Sequence, residues 1–215
     1  PWSKYAYCAG TALTLAPRNL LTVEQTRRLF AELVSPGDGS LQGELDVGAL
    51  LIAAAVDPAV DVAAGQAQLD AIANELQAAT AAELAVALFG GAAHDSQCHF
   101  SGNGENYYDA ENSMLNRVLE RRIGIPITLA VLMVEVGRRL GIPLHGVGMP
   151  GHFLVGSSAG FIDTFNHGIL LDAVGCQQLF ERLAGPGAVL PEGALAPTPP
   201  AFILKRMWRD RKSVV

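Results

Sequence analysis

Apolar positions in the first ninety residues recur at helical spacing, and most runs have a recognisable start. Thr22-Val-Glu-Gln25 has the form of a capping box, in which the Thr22 hydroxyl accepts from the Gln25 amide and the Gln25 side chain reaches back. Leu29, Phe30 and Leu33 are the expected buried stripe of the helix that follows. A second run, 47–56, carries Leu50, Leu51 and Ile52 and stops at Asp57-Pro58, because proline disfavours a helical residue before it. Leu69, Ile72, Ala73 and Leu76 fall at i, i+3, i+4 and i+7, one face of a third helix. Thr80-Ala-Ala-Glu83 is a second capping box and opens a fourth. Residues 20–90 are thus expected to form a helical layer.

From Gly90 to Tyr108 the pattern lapses into glycines and polar residues, as in an extended surface loop. Asp109 is placed to cap a helix bearing Met114, Leu115, Val118 and Leu119, with Gly124 at its end. Gly124-Ile-Pro126 then recurs as Gly141-Ile-Pro143, and the two copies bracket a further helix. Pro126 suits its first position, where a missing N–H costs nothing, and Gly141 suits the left-handed cap. Between them almost every residue is apolar, so this helix is expected at the centre of the molecule. The period then becomes strand-like over 144–148, 152–156 and 160–165. Residues 177–183 form a last amphipathic helix before a proline- and glycine-rich arm, 185–200. The closing segment groups Ile203, Leu204, Met207 and Trp208 on one face, ringed by Lys205, Arg206, Arg209, Arg211 and Lys212. That face is expected to dock, with an exposed Trp208 packing on a second copy of the chain in a homo-oligomer.

The pattern predicts an α+β fold in one globular unit: a helical layer over 1–90, a core over 91–184, and an irregular arm with a C-terminal helix over 185–215. A chain of 215 residues is long enough for one sizeable core. Half the residues are apolar and 17% charged, with a mean hydropathy of +0.27, which excludes a disordered chain. The longest apolar stretches, such as 125–136, are interrupted by Pro, Thr or Glu and fall short of the roughly 20 residues that cross a bilayer. A net charge of −6 offers no basic field for nucleic acid, so neither nucleic acid nor membrane is an expected partner. Cys8, Cys98 and Cys176 are widely spaced, without the pairing of a disulfide framework or zinc site. The chain opens at Pro1 with no signal segment, so a trimmed end and a cytoplasmic protein with reduced thiols are expected.

Longer motifs carry a resemblance. Asn106-Tyr-Tyr-Asp109, Glu111-Asn-Ser-Met-Leu-Asn116, the run from Arg117 through Gly124-Ile-Pro-Ile-Thr-Leu-Ala130, Pro150-Gly-His-Phe-Leu-Val155 and Phe161-Ile-Asp-Thr-Phe165 closely resemble the SirB family. These are bacterial transglutaminase-like proteins, related also to a domain of some eukaryotic F-box proteins. The resemblance covers about residues 28–183 and implies a transglutaminase or papain-like core, a buried helix packed on a short antiparallel sheet. It places His152 and Asp163 at the histidine and aspartate of the catalytic triad. It also sets Pro126 where active transglutaminases carry the nucleophilic cysteine, an absence that SirB-family members share. A cysteine there would be ionised by the helix dipole and the paired histidine, and proline offers nothing to ionise.

His152 and Asp163 are therefore either a buried pair tying two strands or the base and orienting acid of a pocket. In both cases they are expected to touch. Asn106, Tyr107 and Asn112, beside Pro126 and Thr128, are candidate pocket residues; packing of the loop on the core is the alternative. Thr128 is a candidate nucleophile or a helix residue bonded to its own backbone. Cys98 is a candidate loop nucleophile or an apolar filler. His94, His99, His145 and His167 lack metal-ligand spacing, and no metal or cofactor is expected. Arg121-Arg122 with Glu120, and Arg138-Arg139 with Glu135, have the look of solvated helix faces. Two functions follow: a cytoplasmic binding or regulatory protein that takes a protein or peptide partner, and a hydrolase or acyl-transferase acting on amide or peptide bonds through His152 and Asp163.

Overall fold

The computed structural model describes residues 21–34, 45–90 and 99–212. Four helices come first: α1 (Val23–Val34), α2 (Leu45–Ala54), α3 (Val62–Glu75) and α4 (Ala81–Phe89). Both capping boxes form. At α1 the Gln25 amide donates to Thr22 Oγ1 at 3.2 Å and the Thr22 amide to Gln25 Oε1 at 2.8 Å, and Thr80 and Glu83 make the same exchange at α4. The predicted face of α3 is buried throughout. In α1 only part of the stripe is: Phe30 is buried, Leu33 half-buried and Leu29 41% exposed, since among the described residues α1 packs chiefly against α2 and the last helix.

Of the expected loop, residues 91–98 lie outside the described residues, and 99–108 are more ordered than a surface loop. Phe100 is buried, and β1 (Ser101–Gly102) pairs in parallel with β2 (Ile123–Gly124). Asp109 caps a 3-10 turn, Ala110–Ser113, rather than the helix beyond it, by accepting from the Glu111 amide at 3.0 Å. Helix α5 (Leu115–Arg121) closes on Arg122, which takes the left-handed conformation at φ 61°, two residues before the expected Gly124. Gly124 is drawn into β2 instead. Helix α6 (Pro126–Arg139) starts on Pro126 as expected, and Gly141 follows it at φ 73°. Eleven of its 14 residues are buried, and it touches α2, α3, α4, α5 and both sheets, which makes it the central element.

Four antiparallel strands follow in chain order, β3 (His145–Val147), β4 (Leu154–Ser157), β5 (Gly160–Asp163) and β6 (Ile169–Leu171). Their alternation divides two cores. Val155 and Ile162 face the α6 core, while Val147 and Leu154, with Phe161 and Leu171 against them, face α7 (Ala173–Ala184) through Cys176 and Leu179. Strand β6 was not expected; Ile169 and Leu170 are exposed at the sheet edge and carry no alternation. Helix α8 (Pro200–Lys212) closes the structure. Ile203, Leu204 and Met207 are buried against the chain's own helices, and Trp208 stacks on Phe30 with centroids 4.9 Å apart. The apolar face expected to dock on a second copy is thus filled from within, and Phe202 is the large apolar residue that α8 exposes.

The arginine-rich faces also differ from expectation. Glu135 is 1% exposed and Arg139 11%, and Arg139 joins Glu135 to Asp46 of α2, which is fully buried. Arg139 reaches Asp46 Oδ2 at 2.7 Å, Glu135 Oε2 at 3.0 Å and Asp70 of α3 at 2.6 Å, while Arg138 Nε meets Glu135 at 2.9 Å. Burial, then the neighbouring Asp46, push the Glu135 carboxyl above the usual range. At the other pair, Arg121 is held by Asp109 at 2.7 Å and Glu111 at 2.9 Å, and Arg122 lies over the Phe100 ring at 4.6 Å. Among the described residues no helix is long and apolar enough to cross a membrane.

Candidate functional site

His152 leaves a tight turn. The His152 amide donates to Met149 O at 3.0 Å across Pro150-Gly151, with Gly151 at φ 75°, the arrangement that a proline followed by glycine favours. Asp163 ends β5. Carrying the register Val155↔Ile162 one residue on sets Asp163 opposite Leu154, with His152 at the diagonal position on the same face. The two meet as expected, His152 Nε2 to Asp163 Oδ1 at 2.9 Å, with the imidazole 6% exposed and the carboxylate fully buried.

Asp163 is held on every side. Its Oδ1 also accepts from the amides of Phe165 and Asn166, each at 3.2 Å, and its Oδ2 from Asn166 Nδ2 at 2.7 Å. Burial opposes its charge, but the hydrogen bonds from His152 and Asn166 outweigh burial and hold the carboxyl below the usual range. An ionised carboxylate is an acceptor only, so the proton between the pair sits on Nε2, and the neutral form of the imidazole has its lone pair on Nδ1. Asn166, which the sequence reading passed over, carries a local signal: it stands three residues after Asp163, where an Asx turn finds its partners.

The candidate pocket residues form a connected chain. Thr128 Oγ1 donates to Asn112 O at 2.7 Å and accepts from Ile125 N at 3.2 Å, so its hydroxyl is spent on backbone. Asn112 Nδ2 donates to the carbonyls of Asn106, at 2.8 Å, and Tyr107, at 3.2 Å. The Tyr107 ring meets Phe165 edge-on at 5.9 Å, and Phe165 meets His152 edge-on at 6.2 Å. A Cβ on Gly102 would run into the Phe165 ring and carbonyl, so β1 closes on Phe165 only because that residue is glycine. The first turn of α6 and the imidazole are therefore linked through Asn112, Tyr107 and Phe165. Pro126 is buried at the base of that turn.

Other candidates lie apart. Cys98, Cys8 and His94 fall outside the described residues. Cys176 is buried in α7, where burial and the charges of Asp172 and Asp163 raise its thiol to about 11, which keeps it protonated. His145 on β3 packs over Gly156, and burial lowers its pKa. Among the described residues no cluster of three or more His, Cys, Asp or Glu could hold a metal ion. A cavity of about 550 Å³ between α3 and α5, and one of about 620 Å³ beside Glu135, Arg138 and His145, are lined by neither His152 nor Asp163. What the dyad can offer chemically is a lone pair on an imidazole whose tautomer is fixed.

Comparison with known proteins agrees with this architecture. Residues 63–209, from α3 to α8, match the model of the transglutaminase-like superfamily. A UPF0162 protein of Xylella fastidiosa is 48% identical over 125 residues, 54% of this chain and 43% of that protein. A UPF0162 protein of Pseudomonas aeruginosa is 33% identical over 173 residues, 77% of this chain and 63% of that one. Human F-box only protein 21 is 41% identical over 83 residues, 37% of this chain and 13% of that protein. The chain thus spans about half the length of the bacterial relatives it matches. No solved structure matches it. The central helix, the antiparallel sheet that carries His152 and Asp163, and the extent of the family match together place this chain in the transglutaminase-like superfamily.

Proposed function

We propose that this is a transglutaminase-like domain without the usual nucleophile, a cytoplasmic binding or regulatory protein that takes a protein or peptide partner at the His152 site. The first turn of α6 supports the reading. The resemblance puts the cysteine of active enzymes at Pro126, which is a buried helix-starting proline here, and Thr128 two residues on has its hydroxyl engaged by Asn112 and Ile125. The described thiol, Cys176, is packed and held protonated. A turn with nothing to ionise cannot form the covalent intermediate of acyl transfer.

The fixed tautomer of His152 favours one other reading, a hydrolase or acyl-transferase that uses this base with water or with Cys98 on an amide or peptide bond. One experiment separates the two. The chain and its His152→Ala, Asp163→Ala and Cys98→Ser variants are assayed against a panel of peptide amides and esters, with a thiol-reactive probe, and for binding on a peptide array. No turnover above the His152→Ala background, with array binding that survives Cys98→Ser, is the expected result. Turnover that disappears with both His152→Ala and Asp163→Ala would sink the binding reading.

A further inference from the structure

We propose that Arg206 of α8 is a positioning residue for His152, which makes the C-terminal helix part of the site. The inference rests on His152 being the working group of that site. His152 is fixed at three atoms. Its amide is tied to Met149 O at 3.0 Å and its Nε2 to Asp163 at 2.9 Å, both from within the sheet region. Its carbonyl accepts from Arg206 Nη2 at 3.1 Å, across 54 residues of sequence.

Arg206 is itself held in place. Its guanidinium lies 5.4 Å over the ring of Phe153, the residue after His152, so one planar group stacks on one residue and donates to the carbonyl of its neighbour. The helix beneath cannot drift, because Ile203, Leu204 and Met207 are buried and Trp208 is stacked on Phe30. Just before α8, Thr198 straps the arm to β3: its amide donates to Gly146 O and its hydroxyl accepts from Gly148 N, each at 2.8 Å. The arm and α8 therefore grip both ends of the 146–153 segment that presents the imidazole. Arg206 also bears on Tyr107, whose phenol is raised by burial and by Asp210, with Arg206 opposing. Without the Arg206 bond, the His152 carbonyl loses its side-chain donor, and one of the three holds that direct the ring toward Asp163 is gone. A hold on the backbone is thus a hold on the direction in which the imidazole is presented at the site.

The test is the protonation pattern of the His152 ring, followed by long-range proton–nitrogen correlation on the full chain labelled at histidine, at a pH where the ring is neutral. The unsubstituted protein is expected to show a single form, protonated on Nε2. Arg206→Met keeps an apolar stem over Phe153 and removes the donor, and the single form is expected to give way to a mixture of tautomers. Arg206→Lys is expected to fall between, since an ammonium cannot both lie on the ring and donate in the carbonyl plane. A folded Arg206→Met protein with the unchanged ring signature overturns the proposal. Should that variant fail to fold, Arg206→Lys decides: an unchanged ring in it overturns the proposal equally. A ring protonated on Nδ1 before any substitution overturns instead the reading of His152 as a fixed working group of the site, and is seen before any Arg206 variant is made.

Discussion

Among the described residues two groups of acids and bases are buried, and they are built to opposite ends. In the helical layer, Asp46 and Glu135 share Arg139, whose guanidinium reaches both and Asp70 as well. At the sheet, Asp163 is saturated by four donors, one of them His152, yet the imidazole keeps a lone pair that its partner does not consume. The first group spends its polarity on joining α2, α3 and α6. The second spends one atom on joining two strands and keeps another available. Burial of charge alone is thus a poor guide to a working site; the valence left over after the partners are counted is a better one.

The largest expected effect comes from breaking the first group. Arg139→Met leaves two buried carboxylates with Arg138, which reaches Glu135 at 2.9 Å and Asp46 at 3.8 Å, as the cation beside them, while Asp46 keeps the Val47 amide at 2.7 Å and Gln66 Nε2 at 3.5 Å. Removing one partner of a buried ion pair typically costs about 3–5 kcal/mol. Urea denaturation should show a loss of that order, with the His152–Asp163 ring signature unchanged in the protein that remains folded. A loss below about 1 kcal/mol would mean that the network is solvated, as its sequence pattern implies, and the contrast between the two groups would fail.

A smaller effect probes the floor of the second group. Thr128→Val keeps the shape of the side chain and leaves Asn112 O and Ile125 N without their hydroxyl partner, at a cost of about 1–3 kcal/mol for buried groups left unsatisfied. The same urea series measures it. If Thr128 were instead a nucleophile with a loosely held hydroxyl, the substitution would cost little stability and abolish any turnover.

Local order was legible in the sequence, and long-range polarity was not. Both capping boxes and the Gly124 and Gly141 brackets of α6 follow from spacing over fewer than about a dozen residues, where the helix period dictates which groups meet, while the His152–Asp163 contact is what the family resemblance implies. Arg139 pairs with Asp46 from 93 residues away, and nothing in its neighbourhood separates it from a solvated arginine. Arg206 and Thr198 likewise bond to partners about fifty residues distant: the prolines around Thr198 mark its arm only as irregular, and Arg206 is one of several cations ringing an apolar face. Strand β6 was lost for a different reason: as an edge strand with an exposed face it has no alternation to detect.

The finest distinction between the two groups is the sign of their response to acid. The folded pKa of Asp163 lies below its ordinary value of 3.8, so in that interval the unfolded chain binds the proton and the folded chain does not. Its contribution to stability is present above 3.8 and lost as pH falls through the folded value. Glu135 lies above its ordinary value of 4.5, for burial and the nearby Asp46 disfavour its charge. There the folded chain binds the proton first, and the contribution present below 4.5 is lost as pH rises through the folded value. One proton changes stability by at most about 1.4 kcal/mol per pH unit, so the two slopes are small but opposite. Urea midpoints measured as a function of pH should therefore show Asp163→Asn flattening the rise on the acid side and Glu135→Gln removing a fall above it. Two variants that change the slope in the same direction would show that Arg139 and Arg138 outweigh the burial of Glu135, and that the two groups are held by the same balance after all.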